Sequence, residues 1–132
     1  MNLSSLYLSF SGRINRQPWW LGLLALAVVH VVILLGIFAV IGPGAVPIDP
    51  NDQAAAMVTL SKIMIPAVVL WLIVLYPTLA IYTKRWHDRG KSGWWTLITL
   101  VPIIGGIWAL VELGFLRGTA GSNKYGPDPL DA

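Results

Sequence analysis

Three long apolar segments constrain the fold of this chain more than any other feature. They cover about residues 19–42, 63–83 and 94–116, and each has about the 20 residues that a helix needs to cross a bilayer. Hydrophobic residues make up 56% of the 132 positions and charged residues only 11%, which is more apolar surface than a small soluble domain can bury. The sequence predicts an all-α membrane protein with three transmembrane helices, forming a single integral membrane domain over residues 1–132.

The segments outside the spans predict a short helix and an irregular tail. Leu3, Leu6, Tyr7 and Phe10 recur at helical spacing, which is typical of a short amphipathic N-terminal helix on a membrane surface. The tail after Arg117 is rich in Gly and Pro, so it is not expected to be helical. It is either disordered or folded back onto the membrane face or onto another subunit.

Polar residues in the connections mark where helices should begin. Asn15, Asp52 and Ser92 each precede a helical pattern, and such side chains accept hydrogen bonds from the free N–H groups of a first turn. We expect all three to be N-caps. The stretch from Pro43 to Asp52 is rich in Gly and Pro and predicts an irregular loop.

The basic residues predict how the chain is oriented in the membrane. With three crossings, one side holds Arg13, Arg16, Lys84, Arg85, Arg89 and Lys91, and the other holds Lys62, Arg117 and Lys124. Because basic segments tend to stay in the cytoplasm, the N-terminus and residues 84–93 are expected there, and the C-terminus outside. A break in the third span would instead return the tail to the cytoplasm.

The third span contains a weak point. Pro102 is followed closely by Gly105 and Gly106, near the middle of the predicted helix. Small residues at this depth permit close helix contact, or the helix is broken and lines a polar cavity as in some transporters.

Two ionisable residues fall within the spans. His30 lies near the bilayer centre of the first span, and Glu112 near the far end of the third. Intramembrane ionisable groups are candidates for ion or proton sites. The alternatives are a neutral His30 hydrogen-bonded to a neighbouring helix and a solvated Glu112 near Arg117.

The turn between the second and third spans is the densest patch of charge and aromatic surface. Cytoplasmic cations gain about 1 kcal/mol each near anionic lipid, and Trp is enriched at membrane interfaces. We therefore predict contact with anionic lipid headgroups or a protein partner, with Asp88 holding Arg85 or Arg89 in place. The predicted contact residues are Lys84, Arg85, Trp86, Asp88, Arg89, Lys91, Trp94 and Trp95, together with Arg13 and Arg16. The alternative is that these cations only determine how the chain is oriented in the membrane.

Enzymatic templates do not fit the chain, and no catalytic residue or cofactor is predicted. The sequence has two His and no Cys, so His87-Asp88 lacks the further ligands that a metal site needs. No glycine-rich phosphate loop is present in the sequence. Interleaved cations and tryptophans also occur in nucleic-acid-binding proteins, but the flanking spans explain both residue types, and no nucleic acid is expected as a partner.

Three blocks of the sequence carry a family resemblance. They are Phe10–Arg16 (FSGRINR), Arg85–Trp95 (RWHDRGKSGWW) and Gly118–Pro129 (GTAGSNKYGPDP). In this order they resemble the YhaH-like bacterial inner membrane proteins, catalogued as domain of unknown function 805. The chain has Trp86 where the family often has Leu, and Gln17-Pro18 where an acidic residue often precedes the first aromatic. The resemblance implies a multi-pass protein of the bacterial cytoplasmic membrane, with a periplasmic C-terminus if all three spans cross, and it brings no established activity.

Two classes of function follow. The first is a non-enzymatic membrane module that associates with itself or with a membrane protein partner and contacts anionic lipid through the turn after Thr83. The second is a small transporter or channel. Since three helices enclose a pore poorly, that class requires a homo-oligomer using His30, Glu112 and the break over Pro102–Gly106.

Overall fold

The computed structural model describes residues 2–41 and 52–131, and their regular elements are helical. The elements are α1 (Leu3–Leu8), α2 (Arg16–Ile41), α3 (Gln53–Asp88), a 3₁₀ helix (Gly93–Leu100), α4 (Ile104–Ala109) and a π-helical segment (Leu110–Phe115). The predicted all-α class is confirmed. Most of the loop predicted from Pro43 to Asp52 lies outside the described residues.

Side-chain caps set the starts of the helices. The Asn15 Oδ1 atom accepts a hydrogen bond from the Gln17 amide at 3.0 Å, and the Asp52 Oδ1 atom accepts one from the Ala55 amide at 3.0 Å. Ser92 caps the 3₁₀ helix in the same way. Each bond satisfies an N–H group that has no partner inside its own helix. The three predicted caps are confirmed.

Two helices are long and apolar enough to cross a membrane. α2 has 26 residues and α3 has 36, so at 1.5 Å per residue they measure about 39 and 54 Å, against about 30 Å of hydrocarbon. Their apolar side chains are largely exposed, as at Leu35 (63%) and Ile73 (65%). These faces are suited to lipid, and α3 is long enough to extend beyond it.

The third apolar segment is not one continuous helix. The 3₁₀ helix ends at Leu100, and the chain turns through Pro102 and Ile103, whose φ of 64° is a strained value for a β-branched residue. α4 then packs against the 3₁₀ helix so closely that a Cβ at Gly105 would lie 1.7 Å from the Ile98 carbonyl oxygen. Of the two alternatives for the weak point in this span, the helix is broken, because Gly105 permits a helical hairpin there. Whether the segment crosses the membrane stays a prediction.

The contacts divide the chain into two compact units. One comprises Met1–Ala25 and Tyr76–Ala132, and the other is Leu26–Leu75. The first holds eight of the nine Lys and Arg residues and four of the six acidic residues, a formal charge of +4, whereas the second has one Lys and two Asp. We call the first the basic unit. The predicted single domain remains a prediction.

The apolar core of the basic unit is built from the first two sequence blocks and the helices beside them. Ile14, Trp19, Ile81, Trp86 and Leu113 are each no more than 2% exposed. Burying large apolar side chains contributes about 1.5–3 kcal/mol apiece. Trp19 therefore packs inside the protein.

Candidate functional site

Asp88 is the centre of a buried ion cluster in the basic unit. Its Oδ1 atom accepts hydrogen bonds from the Arg13 Nε and Nη2 atoms at 3.1 and 3.0 Å, and its Oδ2 atom accepts one from Arg85 Nη1. Asp88 is 2% exposed, so both ion pairs are shielded from water. Two guanidinium groups around one carboxylate leave a net positive charge, which the surrounding carbonyl groups stabilise.

Arg13 joins the first block to the tail. Besides Asp88, its guanidinium donates to the carbonyl oxygens of Thr119 at 2.6 Å, Gly121 at 2.7 Å and Gly126 at 3.1 Å. These bonds use the planar fork of donors that distinguishes Arg from Lys. One side chain thereby fixes a tail that has no helix of its own.

Arg85 joins the same carboxylate to the end of the π-helical segment. It donates to the Leu113 carbonyl at 2.7 Å and to the Leu116 carbonyl at 2.6 Å. These carbonyls lie at a helix end, where internal partners run out. The buried guanidinium supplies the missing donors, and the helix end helps to stabilise its charge.

The tail passes directly over Asp88. The Thr119 amide donates to the Asp88 carbonyl at 2.8 Å, and a Cβ at Gly118 would lie 2.1 Å from the Asp88 Oδ2 atom. Only glycine can occupy this position without displacing the carboxylate. Gly118 is therefore part of the ion cluster, although it carries no side chain.

His87 holds the tail from the other side. Its ring stacks on Tyr125 with centroids 3.8 Å apart and planes within 4°. The Nδ1 atom lies 3.1 Å from the Gly12 carbonyl, and the Asn123 amide donates to the His87 carbonyl at 2.9 Å. Of the two alternatives for the tail, the described residues have it folded, and its contacts are with its own chain.

Asp128 organises the tail itself. It is 6% exposed, and it accepts hydrogen bonds from the backbone amides of Leu130 and Gly121, each at 3.0 Å. These bonds, that from Leu130 above all, hold the pKa of the Asp128 carboxyl below its usual range. The carboxylate closes a turn around the segment that Arg13 contacts.

Glu112 forms a second cluster. Its Oε1 atom accepts hydrogen bonds from Arg89 Nε at 3.1 Å and Lys91 Nζ at 2.8 Å, and the Lys91 ammonium also lies 4.8 Å from the Trp95 ring centroid. Arg117 was the expected neighbour. The hairpin explains the difference, because it returns Glu112 to the turn that carries Arg89 and Lys91.

The predicted contact residues divide into buried and accessible ones. Arg13, Lys84, Arg85, Trp86 and Asp88 are at most 8% exposed, and the Lys84 ammonium donates to the Ser5 and Leu6 carbonyls. The accessible residues are Arg16, Arg89, Lys91, Trp94 and Trp95. The buried five are bonded to or packed against protein, so the predicted headgroup contact is narrowed to the accessible five.

The two intramembrane candidates belong to different units. His30 is half-buried on α2 within the unit Leu26–Leu75, while Glu112 belongs to the basic unit and has two cationic partners there. Within residues 2–41 and 52–131, no group of three or more His, Cys, Asp or Glu side chains is arranged to hold a metal ion.

The contacts of the tail join it to both segments that the charge count assigned to the cytoplasm. Arg13 donates to the Gly121 carbonyl, and the Asn123 side-chain amide donates to the His87 carbonyl. The side of the membrane on which the C-terminus lies stays a prediction.

The chain has helices that are long and apolar enough for a membrane, and they are joined to a compact unit with a buried ion cluster. These features define a small helical membrane protein. A family model described as "Protein of unknown function (DUF805)" matches residues 7–127. The chain belongs to this family. The match includes the first two blocks and all but the last two residues of the third, so the predicted family is confirmed.

Relatives in Escherichia coli (strain K12) agree with this assignment. Inner membrane protein YhaI is 34% identical over 124 residues, covering 93% of this chain and 87% of that protein. Inner membrane protein YhaH is 28% identical over 123 residues, covering 93% and 88%. Uncharacterized protein YiiR is 29% identical over 155 residues, covering 99% and 92%. No solved structure matches the chain.

Proposed function

We propose that this protein is a non-enzymatic module of the bacterial inner membrane that recognises anionic lipid headgroups through the exposed cations of its basic unit. The observation that carries the proposal is that the cations of the basic unit differ in exposure. Arg13, Lys84 and Arg85 are buried and bonded to protein groups, whereas Arg16, Arg117 and Lys124 are exposed. Arg89 and Lys91 are partly exposed, and both are paired with Glu112. The buried set fixes the scaffold, which leaves the exposed set for a partner outside the chain.

The exposed tryptophans support a membrane partner. Trp94 is 78% and Trp95 44% exposed, next to Lys91 on the turn. Exposed indole rings beside cations are typical of the headgroup region, where the ring is partly in lipid and the cation faces phosphate. This combination favours lipid over a soluble acidic partner.

We infer that the basic unit faces the cytoplasm with both termini on that side. Eight of the nine Lys and Arg residues belong to this unit, and basic segments are retained in the cytoplasm. In this arrangement α2 and α3 cross the membrane. The 3₁₀ helix and α4 form a re-entrant hairpin that enters and leaves on the same face, in place of a third crossing. Two relatives that carry the name inner membrane protein support the location.

Of the features that the transport alternative uses, the described residues have the break over Pro102–Gly106 but not an open carboxylate at Glu112. Glu112 is paired with Arg89 and Lys91, and its side chain is 11% exposed. Self-association also remains a prediction.

Lipid analysis of the purified protein tests the proposal. The full chain is extracted in a mild detergent, and the anionic fraction of its co-purified lipid is compared with that of the source membrane. We expect enrichment in the wild type and its loss when Arg16, Arg117 and Lys124 are all replaced by Gln, since each cation contributes about 1 kcal/mol. Lys62→Gln is the matched control, because Lys62 is exposed but lies in the unit Leu26–Leu75. Equal anionic fractions in the triple variant and the wild type would refute lipid recognition.

A further inference from the structure

A polar cavity of about 250 Å³ opens beside the ion cluster of the basic unit. All three sequence blocks contribute to its wall. The first block provides Arg16, the second provides Arg85 and Asp88, and the third provides Asp128; Arg117, just before the third block, also lines the cavity. Ligand pockets for drug-sized molecules measure about 300–1,000 Å³, so this cavity suits one small polar group.

The carboxylates in the wall are already occupied. Asp88 accepts hydrogen bonds from two guanidinium groups, and Asp128 accepts from two backbone amides. Neither is an open site for a cation. The wall holds three guanidinium groups, of Arg16, Arg85 and Arg117, against two carboxylates, so its formal charge is still positive.

The guanidinium groups differ in how many donors they leave free. Arg85 uses all three of its nitrogen atoms on Asp88 and on carbonyl groups. Arg16 uses one, donating from Nη1 to the Phe115 carbonyl at 2.9 Å. The exposed Arg117 side chain makes no hydrogen bond or ion pair within the part of the chain that the structure describes. Arg16 and Arg117 thus bring unused donors to one small cavity.

From this arrangement we propose that the cavity is a binding site for one phosphate group, held between Arg16 and Arg117. Planar guanidinium groups bind phosphate through paired hydrogen bonds, and Arg16 is also the first residue of α2, where the helix dipole favours an anion. The phosphate of an anionic lipid headgroup and free phosphate share this chemistry. If the phosphate belongs to a lipid headgroup, this proposal rests on the proposed function. It deepens that function, because it replaces a general attraction between cations and lipid with a defined site.

Titration with soluble phosphate compounds tests the site. The full chain in a non-ionic detergent is titrated with dioctanoyl phosphatidylglycerol and, separately, with inorganic phosphate, and binding is followed by calorimetry. We expect one equivalent to bind, and Arg16→Gln or Arg117→Gln to weaken it about tenfold each, a change equivalent to about 1.4 kcal/mol. Arg16→Lys retains a positive charge that can donate to the Phe115 carbonyl, but it cannot form paired hydrogen bonds to phosphate. If a folded Arg16→Lys protein loses as much phosphate affinity as Arg16→Gln, paired hydrogen bonding by Arg16 is supported.

Lys124→Gln separates this site from the proposed function. Lys124 is exposed and lies 5.0 Å from the Tyr125 ring centroid, but it does not line the cavity. If Lys124→Gln weakens binding as much as Arg117→Gln does, the attraction is diffuse, and the site is refuted while lipid recognition stands. Tight binding of inorganic phosphate supports the site with free phosphate as its ligand. If neither compound binds while purified protein is still enriched in anionic lipid, the site alone is refuted.

Discussion

Removing the carboxylate of Asp88 should destabilise the basic unit more than any other change of one charged group. Asp88→Ala leaves the buried guanidinium groups of Arg13 and Arg85 without their counter-ion, since the side chain of each is at most 1% exposed in its pair with Asp88. Breaking one buried ion pair typically costs about 3–5 kcal/mol, because an uncompensated charge remains in a low dielectric. We expect a loss in that range in the free energy of unfolding.

Equilibrium unfolding with SDS in mixed micelles measures this loss, with tryptophan fluorescence as the signal. Trp19 and Trp86 are each at most 2% exposed in the basic unit, so the emission should shift when that unit opens. Asp88→Asn keeps the size of the side chain and removes only its charge. We expect Asp88→Asn to lower the free energy of unfolding by most of the amount seen with Asp88→Ala. That result would attribute the loss to the missing charge and not to the missing side-chain volume.

Asp131 offers a matched control for the same chemical change. Its side chain is exposed and makes no hydrogen bond within the described part of the chain. Asp131→Asn should change the free energy of unfolding by less than about 0.5 kcal/mol, as surface substitutions usually do. If Asp88→Ala were as neutral as Asp131→Asn, the ion cluster would not be what holds the three blocks together.

Three further predictions concern the surroundings of the cluster. Gly118→Ala should destabilise the unit by about 2 kcal/mol or more in the same SDS titration, since its Cβ would lie 2.1 Å from Asp88 Oδ2. Gly106→Ala, with open space around the added carbon, should be neutral, and equal effects would exclude the close approach at Gly118. Glu112→Gln should cost only about 1 kcal/mol in that titration, since the Arg89 and Lys91 side chains are 24% and 29% exposed; a loss as large as that of Asp88→Ala would contradict this. The pKa of Asp128 is lowered in the folded protein, so its carboxylate stabilises the folded tail at pH values above the ordinary Asp pKa of about 4. This stabilisation is lost as the pH falls through the pKa that Asp128 has in the folded protein. Limited proteolysis of the tail should therefore quicken on acidification in the wild type and much less in Asp128→Asn, and a shared pH profile would contradict the assignment.

The helix starts could be predicted from the sequence because they depend on local chemistry. Asn15, Asp52 and Ser92 each act within three residues of themselves, and such short-range hydrogen bonds are visible in the order of residues. The weak point at Pro102 was visible for the same reason. The hairpin that forms there could not be predicted, because whether the chain only bends or folds back depends on how closely Gly105 can approach the 3₁₀ helix.

The ion cluster could be predicted only in part. The pairing of Asp88 with Arg85 follows from their spacing of three residues on a helix, and it is confirmed. Its pairing with Arg13 joins positions 75 residues apart, which no periodicity indicates. The acceptors on the tail are backbone carbonyls, so no residue type marks them.

Labelling with a membrane-impermeant maleimide tests most directly on which side of the membrane the tail lies. The chain has no Cys, so single substitutions at the exposed Ser11, Ser61 and Ser122 give one reactive thiol each. We predict that Ser11→Cys and Ser122→Cys are labelled in inverted membrane vesicles and protected in spheroplasts, with Ser61→Cys showing the reverse. Labelling of Ser122→Cys in spheroplasts while Ser11→Cys stays protected would place the tail on the opposite face from Arg13 and contradict the account.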